Sequence, residues 1–565
     1  MNLSGLIKRL RLYARTVRYL KFRQAAYFVR RRLLPEGGPD ALGKVAPIRN
    51  GVRMDAVITV VSSVSDENEF RFLNTKKSFD LQRMDWTASD MSRLWRYNLH
   101  YFDYLHDQSR SRETIATLIS GWVINNPPGI KDAWEPYTVS LRVVNWIKLF
   151  LQPEYCGHIP GVWLESLYRQ VCWLEKNIEY HILANHYLKN AKALFFAGMF
   201  FDGKRADRWL KLGLRILGEE AQEQFLADGG HYERSPMYHA IVVEDYLDVL
   251  NLISSSAVPI TPQTIAFFKS RSAAALDFLH DIGMPDGDIP LFNDAALGIA
   301  RQPVQLFEYA GRLIGYAAPR RVEGLLVVAK PESGYFVMRD GDDMMVIDCG
   351  LIGPDYQPGH AHCDTLSYEL AIGGKRTIVD SGVHDYENGE LRHYARSTRA
   401  HNTLMVDEVE QSEIWSSFRV GRRAKPMHTS LEKISGRKAR FSGAHDGYRH
   451  LKGGVIHHRQ IEYDTEKGWV IQDELQGSGV HGFESYIHLH PDFHAVIMGK
   501  SISVIGVAER EVACIQVVGD VNISSEKSYY FPQFGVKIEN TVIRLSGSGE
   551  LPLQMAYHIN KNKVC

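Results

Sequence analysis

The sequence is poor in cysteine. Its 565 residues include six, at positions 156, 172, 349, 363, 514 and 565, with no Cys-x-x-Cys pair and no regular spacing. This excludes a disulfide framework and points to reduced thiols. Net charge is absent too: 66 Lys and Arg balance 66 Asp and Glu. No global field therefore argues for a nucleic-acid partner, although a local basic cleft for an anionic substrate stays compatible with that balance. No apolar run approaches the roughly 18 residues of a membrane helix. Arginines also interrupt every stretch that could supply the apolar core, about 7 residues or more, of a secretory signal. The expected location is the cytoplasm, with peripheral membrane contact as an open possibility. Acid, finally, is missing from residues 1–35, which carry ten Lys or Arg. Leu10, Tyr13, Val17 and Leu20 recur there at helical spacing, giving a basic amphipathic helix. Such a helix either lies on an anionic membrane surface or docks on the protein itself.

What is present is an ordinary globular composition, 45% hydrophobic and 23% charged. The chain is too long for one core, so two large domains are expected. After a linker near Pro35-Glu36-Gly37-Gly38-Pro39, strand-like pieces fall around 56–61 and 69–72. From about residue 94 the pattern turns helical. Apolar helices begin near Tyr137, Asn185 and Tyr238, about fifty residues apart, with another helix in each gap, the repeat of a helical array or toroid. From Gly334 onward short alternating runs are broken by Gly, Asp and Ser, as in an antiparallel sandwich. The expected fold is α+β and multidomain: a lead-in over 1–90, a toroid over 91–325 and a β-sandwich over 326–565.

Two stretches carry the chemistry. The starts of the three repeated helices hold Tyr137 with Arg142, Asn185 with His186, and Tyr238 with His239. Taken singly, Asn185 is an ordinary N-cap, and His186 and Tyr238 are ordinary core residues. If alternate helices run the same way, however, their N-termini share one rim, and that rim suits an anion. The second stretch is Gly359-His360-Ala361-His362-Cys363-Asp364, followed by Asp380 and by His401. Two histidines and a carboxylate within about forty residues form a possible metal set, with one histidine left for chemistry. The bland alternative is a group of hydrogen-bonded polar residues at strand ends.

Taken in order, Asn185-His186-Tyr187-Leu188-Lys189-Asn190, Tyr238-His239, Gly359-His360-Ala361-His362-Cys363-Asp364 and Arg399-Ala400-His401-Asn402-Thr403 resemble the heparinase II/III family, whose members include oligoalginate lyases. The resemblance spans roughly residues 90–475. It implies an (α/α) toroid followed by an antiparallel β-sandwich, and β-elimination on a uronic-acid-containing polysaccharide. By resemblance, Asn185 offsets the substrate carboxylate charge, and Tyr238 is the acid, or acid and base both, depending on which face carries the proton. His186 is then the base for a proton on the opposite face, and His360 is the catalytic histidine of the β domain. The same resemblance makes His362, Asp380 and His401 ligands of a structural zinc, with no organic cofactor. Tyr137, Arg142, Tyr386 and Arg399 become substrate contacts. The expected partner is an anionic uronate polymer or oligosaccharide made by the same cell. A non-lytic alternative, glycan binding or uronate epimerisation during envelope polysaccharide assembly, stands beside it. Oligomeric state is left open.

Overall fold

A computed structural model describes residues 3–33, 44–58, 68–107, 109–155, 157–320, 323–507 and 509–561. It opens with two helices, α1 (Leu3–Val17) and α2 (Phe22–Leu33). The strand expected near 56–61 lies partly outside the described residues, and 56–58 are irregular. The piece at 69–72 is real: β1 (Glu69–Phe72) pairs with β2 (Thr75–Ser78) in a small hairpin.

The helical half follows as α3 (Arg93–Tyr101), α4 (Arg112–Asn125), α5 (Pro136–Phe150), α6 (Gly161–Lys176), α7 (Ala184–Phe200), α8 (Lys204–Gln224), α9 (Pro236–Ser255), α10 (Pro262–Ile282) and α11 (Pro303–Ile314). Helices α5, α7 and α9 begin about fifty residues apart with α6 and α8 between them, so the period read from the sequence is that of the toroid. Helix α7 is its centre and is buried on nearly every side. Glycine permits this where α8 crosses: a Cβ on Gly198 would lie 2.4 Å from the Leu210 backbone nitrogen, and one on Gly213 2.6 Å from that of Phe195. Buried charges join the same helices. Lys189 and Lys192 of α7 and Lys148 of α5 meet Asp245 and Asp248 of α9 at 2.5–2.8 Å. Paired burial of this kind specifies register more than it adds stability.

The β half begins with an antiparallel meander of β3 (Leu325–Lys330), β4 (Tyr335–Asp340), β5 (Asp343–Asp348), β6 (Tyr368–Ile372) and β7 (Lys375–Ile378). Both of its faces are covered. Tyr335, Val337, Met344 and Val346 pack on Phe278 and Ile282 of α10, while Phe336, Met338, Met345 and Ile347 join the core of the remaining sheets. That double burial explains why β4 and β5 are apolar at nearly every position and do not alternate cleanly.

Two further antiparallel sheets complete the sandwich. Strand β8 (Leu404–Val406) belongs to a four-stranded sheet and is followed by the short pair β9 (Ile414–Trp415) and β10 (Arg419–Val420). An eight-stranded sheet is built from β11 (Pro426–Lys433), β12 (Lys438–His445), β13 (Ile456–Asp464), β14 (Gly468–Gln476) and later strands near the C-terminus. Cys349 and Cys363 are buried and free. Cys514 is disulfide-bonded, against the expectation of reduced thiols throughout.

Candidate active site

The two halves meet at the N-terminal ends of α7 and α9. Helix α7 is entered through strained backbone: Leu183 has φ 65° and Ala184 φ 51°. Non-glycine residues hold such angles at a cost of order 1–3 kcal/mol, and they cluster at functional sites. Among the described residues no side chain caps this end, so the first N–H groups of α7 are not satisfied by such a cap at the point where Asn185 and His186 emerge. Helix α9 is set differently. Pro236 occupies its first turn, and the Ser235 hydroxyl accepts from the Tyr238 N–H at 3.3 Å while donating to the Asp294 carbonyl at 2.7 Å.

On the helical side Asn185 Nδ2 donates to the Tyr137 hydroxyl at 3.3 Å, and its buried Oδ1 has no hydrogen-bond partner among the described residues. The rings of Tyr137 and His186 lie 4.4 Å apart. His186 Nδ1 donates to Glu179 Oε1 at 3.0 Å. Burial works against a charged His186, yet the Glu179 carboxylate overrides it and holds the imidazole pKa above its ordinary value. Glu179 is likewise held below the usual carboxylate range: burial opposes its ionisation, and His186 outweighs that.

On the other side the Tyr238 ring stacks on His360 at 3.9 Å between centroids, and its hydroxyl lies 3.2 Å from that of Tyr386. Burial, then the two neighbouring tyrosines Tyr386 and Tyr137, push the Tyr238 phenol well above its ordinary value, so it is a neutral O–H donor. His360 Nδ1 donates to Asp294 Oδ2 at 2.8 Å, which leaves Nε2 as its open ring atom. Asp294 also accepts from His362 Nε2 at 2.8 Å and from both Nη atoms of Arg392. Burial opposes ionisation of Asp294, but Arg392 and the two histidines hold it well below the usual range.

Four site residues escaped the sequence reading: Asp294, Arg392, Glu179 and Glu233. Glu233 is buried, and its Oε2 has no hydrogen-bond partner among the described residues. Burial raises its pKa, while His360 and His186 pull it back, so it lies between the two histidines electrostatically. His231-Tyr232-Glu233 stands out in the sequence as a polar group just before the start of α9, and Asn293-Asp294 as a polar pair in the loop between α10 and α11. Only the fold aims them at the histidines.

Not every expected residue joins the cluster. Arg142 is completely buried: it donates to Gln170 at 2.7 Å and to the His100 and Ala133 carbonyls at 3.1 and 2.8 Å, over the Trp122 ring. Five residues beyond Tyr137 on α5, it points roughly 140° around the helix, and it clamps helices together instead of meeting substrate. Arg399 is exposed and stacks over Tyr394 at 5.4 Å, with no contact to the tyrosine–histidine cluster among the described residues. Tyr137 and Tyr386 do lie in the cluster. His239 turns away, donating from Nε2 to the Ala275 carbonyl of α10 at 2.9 Å.

The metal set also differs from expectation. His362, Asp364 and His401 bring one ligand atom each within 4.8 Å of one another, all buried. The place expected for Asp380 is taken by Asp364, because Asp380 Oδ2 already accepts from His401 Nδ1 at 2.7 Å and so orients that ring from behind. His362 Nδ1 and His401 Nε2 are buried without hydrogen-bond partners among the described residues. Two orphaned imidazole nitrogens beside a carboxylate fit a tetrahedral cation such as zinc, and Asp294 and Asp380 supply the outer carboxylates that metal-binding histidines usually have.

A helical toroid, an antiparallel β half and a polar side-chain cluster where they meet define a two-lobed architecture. Residues 59–310 match the heparinase II/III N-terminus model and residues 325–560 the heparinase II/III-like C-terminal model; the chain belongs to the heparinase II/III-like family. A heparin-sulfate lyase of Pedobacter heparinus is 26% identical over 355 residues, covering 58% of this chain and 52% of that protein. FtsZ-localized protein C of Caulobacter vibrioides is 26% identical over 347 residues, 56% of each. A crystal structure of heparinase III superposes with TM-score 0.68 at 18% identity, covering 86% of this chain and 81% of the other. The chain spans about half the length of the curated relatives it matches.

Proposed function

We propose that this protein is a polysaccharide lyase that cleaves a uronic-acid-containing glycan by β-elimination. The observation that carries this reading is the buried Tyr238, its ring stacked on His360 and its phenol neutral, on the same rim as Asn185 and as a His186 whose pKa Glu179 holds above its ordinary value. A proton at C5 beside a carboxylate is only weakly acidic, so the carboxylate charge has to be met first. Asn185 Nδ2 and the His186–Glu179 pair receive it, as preorganised donors at the place where charge develops. His360 Nε2, with Nδ1 fixed by Asp294, takes the C5 proton. Electrons of the C5–H bond form the C4=C5 double bond, the C4–O4 bond breaks, and Tyr238 gives its proton to the departing O4. The products are a new hydroxyl end and an unsaturated uronate, with no water consumed.

A zinc ion would be held by His362, Asp364 and His401, and when bound it stiffens the loop that presents His360. The polymer we favour is an envelope or exopolysaccharide of the same cell. The test is absorbance of unsaturated uronate after incubating the protein with a panel of uronate polymers. Growth of that signal on one polymer supports the reading; intact chains throughout the panel contradict it.

A second reading, glycan binding or C5 epimerisation without cleavage, draws on the relative called FtsZ-localized protein C, whose name is not that of an enzyme. Polymer binding or inversion at C5 with no loss of chain length would favour it.

A further inference from the structure

The hairpin of α1 and α2 docks through a largely polar side and displays an apolar stripe on each helix. Residues turned to the protein from α1 and the turn after it are Leu12, Arg15, Thr16 and Tyr19. Arg15 pairs with Glu413 at 2.9 Å, Thr16 Oγ1 accepts from Trp415 Nε1 at 3.2 Å, and Arg423 covers the Tyr19 ring at 3.8 Å. From α2 the inward residues are Gln24, Tyr27 and Arg31. Gln24 is buried and donates to the Ile182 carbonyl at 3.1 Å, and Tyr27 packs on Tyr180 at 4.5 Å. At 100° per residue, Leu10, Ala14 and Val17 fall on the opposite side of α1, and Phe22, Ala26, Val29 and Leu33 on the opposite side of α2. These positions are exposed, Phe22 at 88% and Leu33 at 77%.

A soluble helix normally buries its apolar stripe and shows its charges; here Tyr13 and Tyr27 help dock the hairpin, on Trp415 and Tyr180, yet a second apolar stripe on each helix is left facing outward. Exposed arginines flank the stripes, Arg11 and Arg18 beside the first and Arg30 and Arg32 beside the second, whereas Arg23 turns to the body and donates to the Tyr187 hydroxyl at 2.8 Å; residues 1–35 contain no acid. The hairpin also precedes both family matches, so it is an addition to the two-lobed body. No helix among the described residues is long and apolar enough to cross a bilayer.

We propose that this hairpin is an in-plane membrane-binding element that seats the protein on an anionic lipid surface. The apolar stripes enter the boundary between headgroups and acyl chains, while the arginines reach the lipid phosphates. Charge complementarity selects the partner: a neutral apolar surface would leave the flanking arginines unmatched. The docked face keeps the hairpin rigid on the body. Gln24 and Tyr27 contact the 180–182 segment that leads to Asn185, and Lys21 lies over Tyr356 at 4.0 Å, four residues before His360. Seating the hairpin therefore brings the side of the molecule that carries the Asn185 and His360 segments toward lipid headgroups. The inference does not depend on what reaction the candidate site performs.

Flotation of the full-length protein with vesicles tests it. The protein should float with phosphatidylcholine vesicles containing phosphatidylglycerol and stay behind with phosphatidylcholine alone. Combined Phe22→Ser, Val29→Ser and Leu33→Ser should lower partitioning at least about tenfold with an unchanged unfolding midpoint. Arg11→Glu with Arg30→Glu and Arg32→Glu should do the same by removing the electrostatic part, which keeps the proposal testable if the serine variant misfolds. Arg15→Gln, on the docked face, should leave partitioning within about twofold. Three results would overturn the proposal: no binding of the wild type to anionic vesicles, a serine variant that turns a dimer into a monomer in sedimentation, or arginine variants that lose a uronate polymer while the wild type ignores vesicles.

Discussion

At the residue scale, the division of labour rests on which proton each side chain keeps. Tyr238 is buried beside two other phenols and holds its proton, so it serves as an acid. Tyr238→Phe removes only a hydroxyl, and turnover should fall about 10²–10⁴-fold while folding survives. Asn185→Ala should cost about 10²–10³-fold, the usual loss for a preorganised donor to developing charge. His239→Gln is the internal control: it faces α10, and single-turnover rates should stay within a few-fold. His186 and Glu179 form a pair with opposite shifts, His186 raised and Glu179 lowered. The pair contributes stability above the carboxylate's unfolded value, roughly 4.3, and below the raised imidazole value. That contribution fades as pH falls through the depressed Glu179 pKa, and as pH rises through the elevated His186 pKa. If charged His186 meets the substrate carboxylate, kcat/KM should decline as pH rises through the same value. Glu179→Gln should move that alkaline limb to lower pH, and a pH profile identical to wild type would remove His186 from this role.

At the element scale, periodic signals were legible and directions of side chains were not. The 3.6-residue pattern and the fifty-residue repeat mark α5, α7 and α9 because those helices bury wide apolar faces. Asn185 and Tyr238 could be placed at their starts for the same reason. Arg142 was misassigned because nearness to a helix start in sequence says nothing about which side of the helix a residue leaves from. The resemblance put Asp380 in the metal set and the structure brings Asp364 there, because sequence position cannot show which carboxylate faces the open histidine nitrogens and which orients His401 from behind. Metal analysis separates them. His362→Ala and Asp364→Asn should lower bound metal and the unfolding midpoint of the β half, whereas Asp380→Asn should weaken metal affinity about 10–100-fold, as loss of an outer carboxylate does. In the metal-loaded protein, histidine nitrogens should lie about 2.0–2.1 Å from the ion. Full metal content in Asp364→Asn with none in Asp380→Asn would reverse the assignment. The N-terminal hairpin shows a similar limit: its amphipathicity was readable, but the side on which it docks was not.

At the scale of the whole molecule, the candidate site exists only where two folds meet. The toroid contributes Tyr137, Asn185, His186, Glu233 and Tyr238. The β half contributes His360 and Tyr386, and Asp294, from the loop before α11, joins the halves by holding His360, His362 and Arg392 together. The acid Tyr238 and the carboxylate receptor Asn185 come from the toroid, while the proton-accepting His360 comes from the β half, so the two lobes have to be studied as one chain. The central claim is that this assembled site performs β-elimination with Tyr238 as the proton donor. The most direct measurement compares wild type and Tyr238→Phe for release of unsaturated uronate, on whichever uronate polymer in the panel binds. The account predicts steady product from the wild type and a rate about 10²–10⁴-fold lower from the variant. Unsaturated product at near wild-type rate from Tyr238→Phe, or tight polymer binding by the wild type with no unsaturated product, would contradict it.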